Sequence, residues 1–492
     1  MVWKASLRRG ASALAAAAAL GGCTTVGPNF SRPAAPATSG YAAAGETGPQ
    51  AQQVKLGQGV AARWWSYFGS PELDQVMRLA VEGSPTLEAA DATLAAAQTE
   101  IRVARADASP QVNLNTGVSG QRLNLQSFGF DVSSIPGFSN NPTFALYSVG
   151  ATASYAIDPF GLNRRQLESA TARAETQAHQ ADAAYLSLTG NVALQAAQIA
   201  AVRAELEVVR AIIADDQRLI DLTRKATQLG AQGSGPPVNA QAQLAADTAR
   251  LPALEQQLAA ARHALSVLVG RAPADWSPPD FDLARLRLPA EIPLSLPSEL
   301  VRQRPDILAA EARLHAATAE VGVATARLYP SVNLTASLTQ SAISLPALFT
   351  PEGTAGSIGA ALAAPLLDGG RLRAQREAAR QTARAELANY EATVIQAFGQ
   401  VADLLQALAH DEQMLTAQAR ARDDAAASLQ LAQAGFEGGA TGMLPVIDAQ
   451  RQLNAARLGY VQAEAQRYVH TVQLFVATGS GLREAKPAVP AA

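Results

Sequence analysis

Histidines, cysteines and carboxylates decide whether this chain of 492 residues can catalyse a reaction or hold a metal. Its histidines stand at 179, 263, 315, 410 and 470, far apart and without metal-ligand spacing. There is no HExxH pair for zinc, no GxSxG elbow for a serine nucleophile and no GxxxxGK[ST] loop for phosphates. One cysteine, four methionines and scattered histidines do not make a soft-metal site. The chain is therefore read as a non-enzyme, with no catalytic residue, cofactor or metal, and with histidines that decorate helices. One side chain is placed for chemistry, the thiol of Cys23. Lys4, Arg8 and Arg9 make a basic start, Ala11 to Leu20 is a short apolar run, and Leu20-Gly21-Gly22-Cys23 resembles a lipobox. That order predicts a signal peptide over 1–22, cleaved so that Cys23 accepts a diacylglycerol and its new amino terminus is acylated. The other reading of Cys23 is a free buried cysteine, which behaves as a small apolar residue. A lone cysteine excludes an intrachain disulfide framework in the mature chain. Thr24 follows it, and the absence of an aspartate there favours the outer membrane in a Gram-negative cell.

The elements that would surround such an anchor occur twice. Ser84-Pro85-Thr86-Leu87 opens a helical stretch that ends at Pro110-Gln111-Val112-Asn113-Leu114. Arg304-Pro305-Asp306-Ile307 opens a second that ends at Pro330-Ser331-Val332-Asn333-Leu334, displaced by 220 residues. Farther on the displacement is 209, which pairs Gly161 with Gly370, Arg164 with Arg373, Val192 with Val401 and Gly230 with Gly439. Fixed displacements of this kind mark a duplication. The organisation expected is a lipidated extension over 23–71, repeat one over 72–270, a Pro-rich linker over 271–297, repeat two over 298–479 and a tail over 480–492. A net charge of −3 and a pI near 6.0 give no reason to expect a nucleic-acid partner.

Each repeat carries two stretches that alternate with period two, expected as strands at about 111–121, 144–157, 331–341 and 357–367. Val112, Leu114 and Val118 alternate with Asn113, Asn115 and Ser119; Val332, Leu334 and Leu338 alternate with Asn333, Thr335 and Thr339. One face is apolar and the other small and uncharged. A soluble sheet also alternates, but its outer face more often carries Lys, Glu and Arg. About ten residues is the length of a tilted strand that crosses a bilayer. The loops over 121–142 and 341–356 are rich in Gly, Ser and Pro, with Phe128, Phe130, Phe138, Phe144 and Phe349 in or beside them, as at a membrane interface. Lipid satisfies no backbone hydrogen bonds, so a membrane sheet must close on itself. Barrels need roughly eight strands or more. Four strands cannot close, so spanning strands require two chains, or three, to share one barrel.

After Gly161 and Gly370 the pattern becomes helical. Tyr185, Val192, Ile199, Leu206, Ile213 and Ile220 recur every seven residues, and their repeat-two partners are Val394, Val401, Leu408, Leu415, Arg422 and Leu429. A strict seven-residue period makes a left-handed coiled-coil seam, which Arg422 interrupts. Residues 164–229, at about 1.5 Å each, would form a helix on the order of 100 Å long. A plain structural coiled coil has the same period. Each long helix ends in a Gly-rich turn, 229–239 and 438–448, where Gly permits a C-cap and Pro forbids continuation.

Cys23, Trp64-Trp65 with Phe68 and Pro71-Glu72-Leu73, the run Leu296-Pro297-Ser298-Glu299-Leu300 leading into Arg302-Gln303-Arg304-Pro305-Asp306-Ile307, Asp368-Gly369-Gly370-Arg371, and Asp448-Ala449-Gln450 together resemble the outer-membrane factor (TolC/OprM-like) family of tripartite efflux systems. The lipidated NodT-type branch fits best. The resemblance implies a mainly α fold with a transmembrane β part: a homotrimer with a shared 12-stranded β-barrel, four strands per chain, continuous with a long periplasmic α-helical barrel. It also implies outer-membrane lipid around the barrel, a periplasmic adaptor (membrane fusion) protein at the helical tips, and an inner-membrane RND-type pump. The family closes its periplasmic end with acidic residues just after the second tip. The matching residue is Asp448, so three copies would form a carboxylate ring that favours cations. The simpler reading makes Asp448 the N-cap of the returning helix. Its repeat partner is Asn239, which leaves one such carboxylate per chain. Gly230, Gly233, Gly439, Thr441 and Gly442 are the expected adaptor-docking tips. The function expected is a passive exit duct for small toxic molecules such as drugs. The alternatives are a duct for type I protein secretion on the same fold and a non-pore coiled-coil lipoprotein tethered by Cys23.

Overall fold

The computed structural model describes residues 25–479 apart from 43, 44, 47, 51, 138, 231 and 232. The expected signal peptide, Cys23, Phe138 and the tail 480–492 lie outside the described residues. In chain order the elements are strand β1 (Gln53–Leu56), helices α1 (Pro71–Gly83) and α2 (Pro85–Asp107), strands β2 (Gln111–Arg122) and β3 (Thr143–Ile157), helices α3 (Leu162–Gln228), α4 (Gly235–Thr248) and α5 (Leu251–Leu268), strand β4 (Glu291–Leu294), helices α6 (Pro297–Gln303) and α7 (Pro305–Ala326), strands β5 (Ser331–Ala342) and β6 (Thr354–Ala363), and helices α8 (Arg371–Glu437) and α9 (Leu444–Ala477). A helix, two strands, a long helix and a return thus follow one another twice. The chain divides into two compact units. One comprises the N-terminal residues to Arg32, Ala95–Thr176 and Glu311–Ala388; the other comprises Pro33–Leu94, Gln177–Ala310 and the chain from Asn389.

The first unit holds an antiparallel sheet in the order β2-β3-β5-β6. Its register lines up Val112, Ala153, Ala336 and Ile358 across the four strands, and likewise Leu114, Ala151, Leu338 and Gly356. The intervening rows are Asn113, Thr152, Ser337 and Ser357, and Asn115, Gly150, Thr339 and Ala355. Successive side chains point to opposite faces, so these rows separate cleanly into an apolar face and an uncharged polar one. A Cβ at Gly150 would stand 2.8 Å from the Leu338 carbonyl oxygen, so this crossing point requires glycine. The fourth strand is displaced from the expected 357–367: β6 runs Thr354–Ala363. Pro365 has no N–H with which to extend the ladder, which leaves Leu366 and Leu367 beyond the strand.

Both long helices leave the sheet in the same way. Gly161 and Gly370 adopt positive φ, 82° and 85°. The Asp158 carboxylate accepts the Arg164 N–H at 3.0 Å, and Asp368 accepts those of Leu372 and Gly370 at 2.8 and 2.9 Å. The bonds from Leu372 and Gly370 hold the Asp368 carboxyl below its ordinary range. A strap over 25–32 is pinned beside α3. The Val26 N–H donates to the Phe160 oxygen, and the buried Arg165 donates to the Val26 oxygen at 3.2 Å and to Asn29 Oδ1 at 2.7 Å. Phe30 stacks on His315 with ring centroids 4.4 Å apart, and Arg32 meets Glu311 at 2.6 Å. Removing a buried donor leaves its acceptors unpaired, so Arg165→Ala should cost about 2–3 kcal/mol. The check is protease nicking within 25–32, which should accelerate in the variant.

The second unit is built on a continuous core in which Trp64, Phe68 and Phe475 are packed together, Trp64 stacked on Phe475 at 5.6 Å. Tyr185, Val192 and Ile199 from α3 and Val394, Val401 and Leu408 from α8 enter the same core. Arg422, which interrupts the apolar seam, lies 4.5 Å over the Tyr460 ring of α9. The two returns differ. In repeat one Pro252 starts a new helix, so the return is split into α4 and α5, whereas α9 is unbroken. Arg304 closes the unit: its guanidinium donates to both Asp306 oxygens, to Gln400 Oε1 at 2.7 Å and to the Ala477 oxygen at 2.8 Å.

Candidate functional site

Two regions could carry function, one in each unit. Among the described residues many side chains on both faces of the first unit's sheet are exposed. On the apolar face Leu114 is 74% exposed, Leu362 71% and Ile358 92%. Each such side chain would gain on the order of 1.5–3 kcal/mol on leaving water. A row of them on a free sheet is unstable in water and stable against hydrocarbon. The opposite face offers Asn, Ser, Thr and Gly; Asn115 Nδ2 donates to Thr152 Oγ1 at 3.4 Å and the Ser337 and Ser357 hydroxyls meet at 2.8 Å. Such a face accepts water and holds no fixed charge. The outer edges of β2 and β6 have no strand partner among the described residues, and an open edge in lipid leaves a row of N–H and C=O groups unsatisfied.

In the second unit the ends of the helical hairpins are exposed. Gly230 and Gly439 close their helices with positive φ, 75° and 71°, and space is open around both, as it is around Gly233 and Gly442. Thr441 folds back, with its hydroxyl 3.0 Å from where a Gly435 Cβ would stand and its N–H donating to the Gly435 oxygen. The structure corrects the N-cap reading of Asp448. The cap position is Met443 and Pro445 lies in the first turn, so α9 begins at Leu444 and Asp448 is already inside the helix. Its side chain is exposed, while Ile447 and Ala449 on either side are buried.

Deeper between the hairpins lies a polar cluster that the sequence reading missed. Asp216 of α3 and Asp247 of α4 are 1% and 2% exposed. Gln243 Nε2 donates to Asp247 Oδ2 at 2.6 Å, and Arg451 of α9 donates to Gln243 Oε1 at 2.8 Å. Gln450 of α9 donates to Asn454 Oδ1 at 2.9 Å. Among the described residues no donor meets either oxygen of Asp216 with full hydrogen-bond geometry and Asn454 Nδ2 meets no acceptor, but the Asn454 amide faces Asp216 closely enough to favour its charged form, an effect that burial and Asp247 outweigh. Two carboxylates are acceptors only, so they can bond to each other only through a proton. Burial first, and then the facing Asp247, push Asp216 far above the ordinary carboxylate range, up to about 7. The signal in the sequence was slight: Asp216 lies midway, four residues each way, between Ile212 and Ile220, both buried. Among the described residues no group of histidines, cysteines and carboxylates could hold a metal, and no helix is long and apolar enough to cross a membrane.

Comparison with known proteins agrees with this geometry. A family model described as outer membrane efflux protein matches residues 76–271 and 296–480. The pyoverdine export outer membrane protein OpmQ of Pseudomonas aeruginosa is 31% identical over 473 residues, 96% of each chain. Outer membrane protein OprJ of the same organism is 31% identical over 490 residues, 98% of this chain and 97% of that one. Among solved structures, the outer-membrane channel OprN superposes with a TM-score of 0.81 at 27% identity, covering 93% of this chain and 99% of the other.

Proposed function

The chain belongs to the outer membrane efflux protein family, and on that premise we propose that it is a passive exit duct for small toxic molecules. The observation that carries this reading is the two-faced sheet: a face that is apolar through its central rows, with polar residues such as Arg122, Gln340 and Thr354 toward one end, beside an uncharged polar face, with open edges at β2 and β6 among the described residues. Three chains place β6 of one beside β2 of the next and close twelve strands around a polar lumen, which leaves the apolar face for outer-membrane lipid. The fixed displacements of the sequence and the two passes through the same element order support a duplicated chain. Lipidation at Cys23 would fix the trimer to the membrane. The export of pyoverdine by a relative 31% identical favours small-molecule cargo over secreted protein. The duct supplies no energy, so its drive comes from an inner-membrane RND-type pump joined through a periplasmic adaptor. The exposed turns at Gly230, Gly233, Gly439, Thr441 and Gly442 suit that adaptor, because the four glycines have open space around their backbone and Thr441 folds back onto Gly435, out of the way.

The test is reconstitution of the full chain in a planar bilayer. Discrete conductance steps are expected, and their absence from correctly folded protein would refute the duct. Asp448 is proposed as the carboxylate ring at the narrow end. Asp448→Ala should raise the conductance and weaken the preference for cations; an unchanged conductance and an unchanged preference would remove Asp448 from the gate.

A further inference from the structure

We propose that Asp216 and Asp247 hold one proton between them and form a proton-operated latch that fastens the first helical hairpin, α3 with α4, to α9. The pair lies where three helices meet. Asp216 belongs to α3 and Asp247 to α4, while α9 contributes Gln450, Asn454 and, through Gln243, Arg451. The other charges around the pair are already engaged. Asp215 on α3 accepts Arg457 Nη1 of α9 at 2.9 Å and meets Arg218 at 2.8 Å. Arg250, between α4 and α5, stands 3.4 Å from Asp247 Oδ1 and is half exposed. Among the described residues no cation pairs with Asp216 itself, so with Arg250 engaged on Asp247 a second ionised carboxylate here would be a buried charge without its own counter-ion, which is costly. A shared proton removes one charge and supplies the missing hydrogen bond.

The duplication provides an internal comparison. At the displacement of 209, Asp216 and Asp247 correspond to Ala425 and Ala456. Ala425 is buried in an apolar cluster, and Ala456 packs against it. The same junction can therefore be filled by two methyl groups, and the acids of repeat one are not demanded by the packing. They add a response to pH that the alanines lack. The sign follows from linkage. The ordinary aspartate value is 3.8 and the packed value about 7, so the packed junction binds the extra proton. Its stability is complete below about pH 4, falls as the pH rises, and reaches its floor near pH 7. Acid fastens the hairpins and neutrality loosens them. Asp448 lies six residues before Asn454 on the same helix, so loosening bears on the proposed narrow end; only that consequence rests on the duct reading.

Hydrogen exchange by mass spectrometry on the purified full chain in detergent, from pH 5 to pH 8, reads the latch directly. After correction for intrinsic exchange rates, peptides covering 212–220 and 450–458 should open more readily as pH rises. The change should approach tenfold per pH unit for one proton and level off above pH 7. Asp216→Asn and Asp247→Asn, each isosteric, should both flatten the profile. The double variant Asp216→Ala with Asp247→Ala, copying repeat two, should also be flat and guards against misfolding of either amide. A flat wild-type profile, an unaltered slope in the amide variants, or a slope that follows added calcium at fixed pH would each overturn the latch. A protein that shows the exchange profile but no bilayer conductance would refute the duct and leave the latch standing.

Discussion

Leu338→Arg should destabilise the lipid-embedded protein by about 2–4 kcal/mol, whereas Ser337→Arg should leave its stability near that of the parent. The two positions are adjacent, and both stand on β5 in the middle of the sheet. They differ only in face: Leu338 shares a row with Leu114, and Ser337 shares one with Thr152 and Ser357. An arginine on the apolar face must displace hydrocarbon, and at Ser337 it would enter the proposed aqueous lumen. Denaturant unfolding in lipid vesicles measures the first effect, and reversal potentials in a salt gradient measure the second. Ser337→Arg should shift selectivity toward anions because it adds positive charge to an otherwise uncharged wall. Equal destabilisation by both variants would mean that the sheet has no lipid face.

Arg304→Ala should cost about 1.5–3 kcal/mol, the range for removing a charged hydrogen-bond donor whose partners are only partly buried. The side chain ties the start of α7 to α8 through Gln400 and to the end of α9 through the Ala477 oxygen, so its loss leaves three elements short of a donor. Arg304→Lys should recover little, since a point charge cannot reproduce the planar fork on Asp306. Thermal unfolding of the purified chain tests both variants. A lysine variant as stable as the parent would show that charge, and not the fork, does the holding.

The alternation of Val112 to Val118 and of Val332 to Leu338 was legible because period two is a local property, and the register places both apolar sets on one face. The start of β6 was not legible, since Ser, Gly and Ala at its N-terminal end carry almost no periodic signal; its true end was marked by Pro365, which the apolar Leu366 and Leu367 obscured. The N-cap reading of Asp448 failed for a related reason. Pro445 is tolerated in the first turn, so the helix begins before the residue that looked like its cap. Asp216 and Asp247 are 31 residues apart on different helices, and only the packing of α3 against α4 joins them. Arg165 was nearly as silent: its pairing with Glu168 one turn on is an ordinary helix-surface pattern, and its other acceptors, the Val26 and Gly27 oxygens and Asn29 Oδ1, lie about 136–139 residues away in the strap.

The proposed shared barrel is tested most directly by the mass of the intact complex, extracted from outer membranes in mild detergent with its lipid retained. Three chains, each carrying acyl groups at Cys23, are predicted, because three sets of β2-β3-β5-β6 close twelve strands with no free edge. A single chain with its lipid in place would leave the edges of β2 and β6 unpaired, and would contradict the barrel and the duct together.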